Sequence, residues 1–205
     1  MKCEERLSGD VTIYCGDCAE LLEQDEFTNF CDLVLTDPLY DWNESQKRKY
    51  QLLLEKSTPN QVIVFCPPEN IWHAVDKTPT QHLFWVKPIS TKNTSKNYSR
   101  FVEEIKVYGE GVWNSDRHWS QYTNVFTDLV DDKDHPYAKP LSLLIRLIRN
   151  HSKKGDIIFD PFMGSGTTGI ACLQTGRKFV GSESDGLTYI LAKERLQQEI
   201  ERLKK

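Results

Sequence analysis

Several things are missing from this 205-residue chain, and each absence excludes a class of protein. No run of residues approaches eighteen consecutive apolar positions, so a membrane-spanning helix is not expected. The opening Met1-Lys2-Cys3-Glu4-Glu5-Arg6 has no apolar core of the kind a secretory leader carries, and a cytoplasmic protein is the expectation. Positive charge is not in excess: 26 Lys and Arg stand against 30 Asp and Glu, a net charge of -4. That excludes a wholesale basic coat protein but leaves room for a local nucleic-acid surface. There are six cysteines, and Cys15-Gly16-Asp17-Cys18 spells C-x-x-C, yet no second such pair follows to complete four zinc ligands. Packed reduced thiols are the simpler reading, and no metal is expected. Internal repeats, low-complexity tracts and long linkers are also missing.

What is present is an alternation of strands and helices. Strand candidates are Val11 to Cys15, Asp32 to Thr36, Gln61 to Phe65, His82 to Val86, Glu104 to Tyr108, Asp156 to Phe159 and Phe179 to Ser182. Stretches such as Leu33-Val34-Leu35 and Val62-Ile63-Val64-Phe65 are apolar on both faces, as a parallel sheet covered on both sides requires. Pro140 suits the first turn of a helix whose apolar stripe is Leu141, Leu144, Ile145 and Ile148. Asp185 suits the N-cap of a last helix with Tyr189, Ala192, Leu196, Ile200 and Leu203 on one face. The pattern predicts one α/β domain over residues 1–205. Its least regular part, Gly109 to Asp134, is too short for its own core and reads as an excursion from the sheet.

Two turns carry chemistry. Asp160-Pro161-Phe162-Met163-Gly164-Ser165-Gly166-Thr167-Thr168-Gly169 follows a buried strand and opens a helix. Glycines there let backbone approach a ligand, and the helix start offers unpaired N–H donors. Glu183, at the end of the next strand, is placed to accept the two hydroxyls of a ribose. The spacing Gly164-x-Gly166-x-x-Gly169 also fits a dinucleotide fingerprint, so this element alone is ambiguous. Asp160 favours a ligand with a cationic group, such as the amine or sulfonium of S-adenosylmethionine, over a pyrophosphate.

The second turn is Thr36-Asp37-Pro38-Leu39-Tyr40, also at the end of an apolar strand. In an open α/β sheet, ligands sit outside the carboxyl ends of strands, so Asp37 and Tyr40 should share a crevice with the glycine turn. The lone pair of an exocyclic base amine is delocalised into its ring. The Asp37 carboxylate and the Pro38 carbonyl can each accept one of its N–H groups and localise that pair, while Tyr40 stacks on a base swung out of the duplex. An ordinary Asp-Pro turn is the alternative.

With these residues in view, the chain resembles amino-directed DNA methyltransferases that use S-adenosylmethionine, and in particular their permuted β group, where the catalytic turn precedes the cofactor loop. The resemblance extends to Ile13-Tyr14-Cys15-Gly16-Asp17-Cys18, to Trp85-Val86-Lys87-Pro88 followed by Asn97-Tyr98-Ser99-Arg100-Phe101-Val102-Glu103, and to His135-Pro136-Tyr137-Ala138-Lys139-Pro140. It implies a doubly wound, mostly parallel, seven-stranded class I methyltransferase (Rossmann-like) sheet, circularly permuted, with 109–134 as a short target-recognition insertion. It implies catalysis by Asp37, Pro38 and Tyr40. It implies S-adenosyl-L-methionine held by Asp17, Asp37, Lys139, Asp160, Pro161, Phe162, Gly164, Ser165, Gly166, Thr167 and Glu183. The implied activity is methylation of adenine N6 in DNA, within a bacterial or phage self-marking system such as restriction-modification. The alternatives are cytosine N4 on the same scaffold, or a catalytically weakened DNA-binding homologue, because Leu39 stands where the family usually has a second proline.

DNA contact is expected from charge. Lys77 to Val102 and His135 to Gly155 contain no acid, and each carries five cations. From these stretches and the excursion, Lys87, Lys92, Lys96, Arg100, Arg117 and Gln121 are the expected nucleic-acid contacts. An excursion this short predicts either a short recognised site or a homodimer that shares the reading.

Overall fold

The computed structural model describes residues 3–38, 43–57, 60–66, 78–87, 101–115, 118–130 and 138–205. In chain order the strands are β1 (Cys3–Arg6), β2 (Val11–Cys15), β3 (Leu33–Thr36), β4 (Gln61–Cys66), β5 (Gln81–Val86), β6 (Val102–Tyr108), β7 (Val125–Phe126), β8 (Ile157–Asp160) and β9 (Lys178–Glu183). The helices are α1 (Cys18–Leu22), α2 (Glu44–Ser57), α3 (Leu141–His151), α4 (Thr167–Thr175) and α5 (Gly186–Leu203).

The strands form one sheet in the order β1-β2-β9-β8-β3-β4-β6-β5-β7. From β2 across to β4 every neighbouring pair is parallel. β6 runs antiparallel to both β4 and β5. All seven expected strands are present. The two additional ones lie at opposite edges: β1 folds back on β2 as a hairpin, and the two-residue β7 lies along β5.

The apolar runs divide between two cores because successive strand residues point to opposite faces. Leu33, Leu35, Ile63 and Phe65 face α3, α4 and α5, packing with Leu144, Ile148, Cys172 and Leu196. Val34, Val62, Val64 and Cys66 face the other way, onto Leu21 and Leu22 of α1 and Leu54 of α2. Each such fully buried aliphatic side chain contributes about 1.5–3 kcal/mol relative to exposure. Both faces being covered, the sheet is doubly wound. The connection after β8 leads to β9 on one side, and the connection after β3 leads to β4 on the other, so a crevice opens at the carboxyl ends of β8 and β3.

Asp185 caps α5 as its position predicts, its Oδ1 accepting the Thr188 N–H at 2.8 Å. α3 begins after Pro140 and buries Leu143, Leu144, Leu147 and Ile148. The excursion leaves the opposite end of the sheet, because β6 descends while β4 and β5 on either side of it rise. Asn114 Nδ2 donates to the carbonyls of Arg149 (2.7 Å) and Ser152 (2.8 Å), and the Tyr122 hydroxyl donates to the Asn114 carbonyl. The chain then climbs along α3, where Asp128 accepts from Arg146 and Ser142.

Candidate active site

A cavity of about 550 Å³ lies at the carboxyl ends of β2, β9, β8 and β3. Asp160 is its structural hub. It is only 3% exposed, and its carboxylate accepts from Thr36 Oγ1 (2.8 Å), the Phe162 N–H (3.1 Å) and Thr168 Oγ1 (2.7 Å). One side chain thus ties the end of β3, the glycine turn and the first turn of α4. Burial raises its pKa from the ordinary 3.8 to about 6, against the pull of those three hydrogen bonds.

The turn itself needs glycine at one place above all. Gly166 caps α4 with φ of +80°, and a Cβ there would lie 3.3 Å from Ala192 Cβ on α5. Across the turn, Glu183 Oε2 accepts the Gly164 N–H (3.1 Å) and Oε1 accepts the Asp185 N–H (2.9 Å). Ser165 and Thr167 line the cavity, and Arg195 on α5 donates to the Ser165 carbonyl. At the other end Asp17 caps α1 through the Ala19 N–H, and its Oδ1 also accepts the Tyr50 hydroxyl at 2.9 Å. Tyr50, on α2, packs edge-on against Phe162 with ring centroids 5.4 Å apart. Nothing in the polar sequence of α2 marked this residue.

Asp37 follows β3 directly and enters the same cavity with Pro161, Phe162 and Lys139. Lys139 Nζ donates to Asp37 Oδ2 and is paired with Glu103 Oε1 at 2.9 Å. Burial pulls the Lys139 ammonium down, but Asp37 and Glu103 outweigh it and raise its pKa. Pro38 is buried. Leu39, Tyr40, Lys92, Lys96, Arg100 and Arg117 lie outside the described residues.

Two expected contacts with nucleic acid are placed differently. Lys87 is turned inward, its Nζ 2.5 Å from Glu103 Oε2 and over the Trp85 ring. An ammonium committed in this way is not a free phosphate contact. Gln121 lies near the far end of α3, where Asn150 Nδ2 holds its carbonyl at 2.9 Å. The next residue of α3, His151, contacts Gln61 at the start of β4. Thr36 pairs with Val64, which puts Asp37 four residues along from Gln61, so this end of the sheet lies about 13 Å from Asp37. The structure does not bring Gln121 to the cleft.

The residues present fit S-adenosylmethionine. Acids at Asp17, Asp160 and Glu183 surround a volume of a size usual for small-molecule sites, and Phe162, Met163, Leu144 and Leu191 supply apolar walls. A doubly wound sheet with this cavity at its switch point has the architecture of class I, S-adenosylmethionine-dependent methyltransferases. Comparison with known proteins narrows the class. Residues 40–194 match the N6/N4 family described as DNA methylase, and the chain belongs to that family.

Among relatives, it is 45% identical over 139 residues to Type II methyltransferase M2.DpnII of Streptococcus pneumoniae, covering 58% of this chain and 52% of that protein. It is 33% identical over 123 residues to Type II methyltransferase M2.LlaDCHI of Lactococcus lactis subsp. cremoris, covering 57% of this chain and 42% of that one. The chain therefore spans about half the length of these relatives. Among solved structures, the M1.HpyAVI complex with S-adenosylmethionine superposes with a TM-score of 0.73 at 26% identity, covering 91% of this chain and 98% of the other. The cytosine-N4-specific PvuII DNA methyltransferase, at 15% identity and a TM-score of 0.66, shares the fold; 95% of this chain and 93% of that one are covered.

Proposed function

We propose that this chain methylates an exocyclic amine in DNA, N6 of adenine, within a restriction-modification system. The observation that carries the reading is the meeting of Asp37, from the Asp-Pro turn, with Asp160 and Glu183 in one cavity. When bound, S-adenosylmethionine supplies a methyl group on a positively charged sulfur. Glu183 accepts the ribose hydroxyls, Asp17 and Tyr50 close the adenine end, and the glycine turn bears the remainder of the cofactor. Asp37 accepts one N–H of the target amine and the Pro38 carbonyl the other, which returns the nitrogen lone pair to nitrogen. Asp37 then holds the proton that nitrogen must shed. Tyr40 stacks on the extruded base.

Phosphate contact is assigned to Lys92, Lys96 and Arg100. The connection that carries them leaves from Lys87 and returns at Phe101, where the Lys87 N–H meets the Phe101 carbonyl at 2.6 Å at the catalytic end of the sheet. The described parts of the 109–134 excursion, 109–115 and 118–130, are anchored on α3 through Asn114, Gln121 and Asp128, so base reading is not assigned to Gln121.

Incubating the purified protein with DNA and methyl-labelled cofactor, followed by nucleoside mass spectrometry, tests the reading. N6-methyladenine is the expected product, and N4-methylcytosine would transfer the assignment to the other amine. Asp37→Ala should lower turnover by about a hundredfold or more while S-adenosylhomocysteine affinity stays within about threefold, since the lost contact belongs to the transition state. Turnover that survives Asp37→Ala would place the chemistry elsewhere.

A further inference from the structure

The methyl-transfer reading leaves one run of buried charge without a purpose. Glu103, on β6, is 5% exposed, and lysines take both of its carboxylate oxygens: Lys139 at Oε1 and Lys87 at Oε2. Lys139 continues to Asp37. The order Lys87–Glu103–Lys139–Asp37 thus runs from the end of β5, through β6, to the turn after β3. Burial pushes Glu103 up, but Lys139 and Lys87 more than reverse this and hold it below the usual carboxylate range.

A buried carboxylate is a poor stabiliser, because removing it from water costs about what its partners return. Its use here is geometric. A lysine has a long stem with many rotamers, and a single ion pair with Asp37 would leave the ammonium several positions to occupy. A second anion on Nζ, Glu103, itself fixed by Lys87, narrows that choice. Lys139 also lies over the Phe65 ring at 5.0 Å, which closes a further side.

We propose that Glu103 is a positioning residue for methyl transfer: it fixes Lys139 Nζ on Asp37 so that the Asp37 carboxylate meets the target amine in a single orientation. The proposal rests on the reading of Asp37 as acceptor of that amine. Lys87 serves as the counter-charge that allows Glu103 to be buried there. Sequence charge had pointed Lys87 at phosphate, and the family resemblance had implied Lys139 as a cofactor residue.

Several charged groups of the described residues surround this run. Lys139 meets Asp37 and Glu103, with Lys87 behind Glu103. Among the described residues, Glu104 and Lys106 on β6, Cys66 on β4 and Asp160 on β8 lie in its surroundings. Removing the anion Glu103 makes the Lys139 ammonium easier to deprotonate, whereas removing the cation Lys87 makes it harder.

Glu103→Gln and Lys87→Met are therefore compared with wild type in the whole chain. Three quantities are read: kcat against KM for DNA across pH, S-adenosylhomocysteine affinity by calorimetry, and titration of the Lys139 amino group by heteronuclear NMR. Glu103→Gln should lower kcat roughly ten- to a hundredfold, with KM and S-adenosylhomocysteine affinity within about threefold. Its alkaline limb and its Lys139 titration should move to lower pH. Lys87→Met should move both to higher pH, with only a few-fold loss of kcat. A merely structural role would not produce shifts of opposite sign. Titrations that stay in place, or that move together, overturn the proposal. So does S-adenosylhomocysteine affinity falling in step with kcat, which would make Lys139 a cofactor ligand. If Glu103→Gln does not fold, the Lys87→Met shift decides. If wild type methylates no DNA, the function reading fails, and the NMR titration still reports whether Glu103 governs Lys139.

Discussion

Asp160→Asn removes a negative charge from a position where burial opposes it. The native carboxyl titrates at about 6 rather than 3.8, a difference of roughly two pH units at about 1.4 kcal/mol each. Between those two values the native state holds a proton that the unfolded chain has released, so stability falls as pH rises through this window. Above pH 6 the ionised group therefore costs about 3 kcal/mol, and below pH 3.8 it costs nothing. Asparagine escapes this cost. Its Oδ1 keeps the bonds from Thr36 Oγ1 and the Phe162 N–H, while its amide turns to Thr168 Oγ1, which must change from donor to acceptor. That exchange costs about 1 kcal/mol. The net gain near pH 7.5 is about 2 kcal/mol, or roughly 4–8 °C in Tm for a chain of this size. Calorimetric melts of both proteins at pH 7.5 and 4.5 should show a Tm difference that is positive at the higher pH and shrinks at the lower. S-adenosylhomocysteine binding should weaken in the same variant, because the lost charge belongs to the cavity. A variant less stable than wild type at pH 7.5, or a difference that ignores pH, would refute the reasoning.

His151 should show the opposite slope. Burial lowers its pKa from 6.5 to about 4, so the unfolded chain binds the extra proton and stability rises with pH across that window, by up to about 3 kcal/mol. In His151→Gln that slope should disappear from melts taken between pH 4.5 and 7.5, and a slope equal to wild type would contradict it. At Gly109, φ is +84° and an added Cβ would fall 2.1 Å from the backbone oxygen of Asn60, which has no side-chain freedom to retreat. Gly109→Ala should cost about 2–4 kcal/mol in urea unfolding, and an unchanged midpoint would show that the turn relaxes.

The parallel half of the sheet was legible because burial on both faces writes itself as unbroken apolar runs, from Leu33-Val34-Leu35 to Phe179-Val180. β1 was not, since Cys3-Glu4-Glu5-Arg6 has no apolar pattern and is held by hairpin pairing to β2. β7 is two residues long and owes its existence to β5 beside it. The loops at Asp37 and Asp160 were readable because their chemistry is local. Tyr50 and Glu103 were missed because their partners come from other strands and helices. Lys87 illustrates the limit well: the acid-free stretch from Lys77 ends at Val102, and the carboxylate that neutralises Lys87 is the very next residue. Gln121 was misplaced for a topological reason. No pattern in Val102–Tyr108 states that this strand runs antiparallel, and that direction delivers the excursion to the far end of the sheet.

The neighbour relation between β2 and β9 also sets a timetable for the chain's own birth. Cys15 and Lys178 are separated by 162 residues, 16 through 177, yet the strands that contain them pair directly. At about 5–20 residues per second on the ribosome, β2 waits roughly ten to thirty seconds for its parallel partner. Through that interval its inner edge, with Val11 and Ile13, has no strand to hydrogen-bond. β3, β4, β6 and β5 meet no such delay and can assemble among themselves. Asp17 and Glu183 therefore face each other only after the 165 residues between them, 18 through 182, have been made, so cofactor binding must wait for β9.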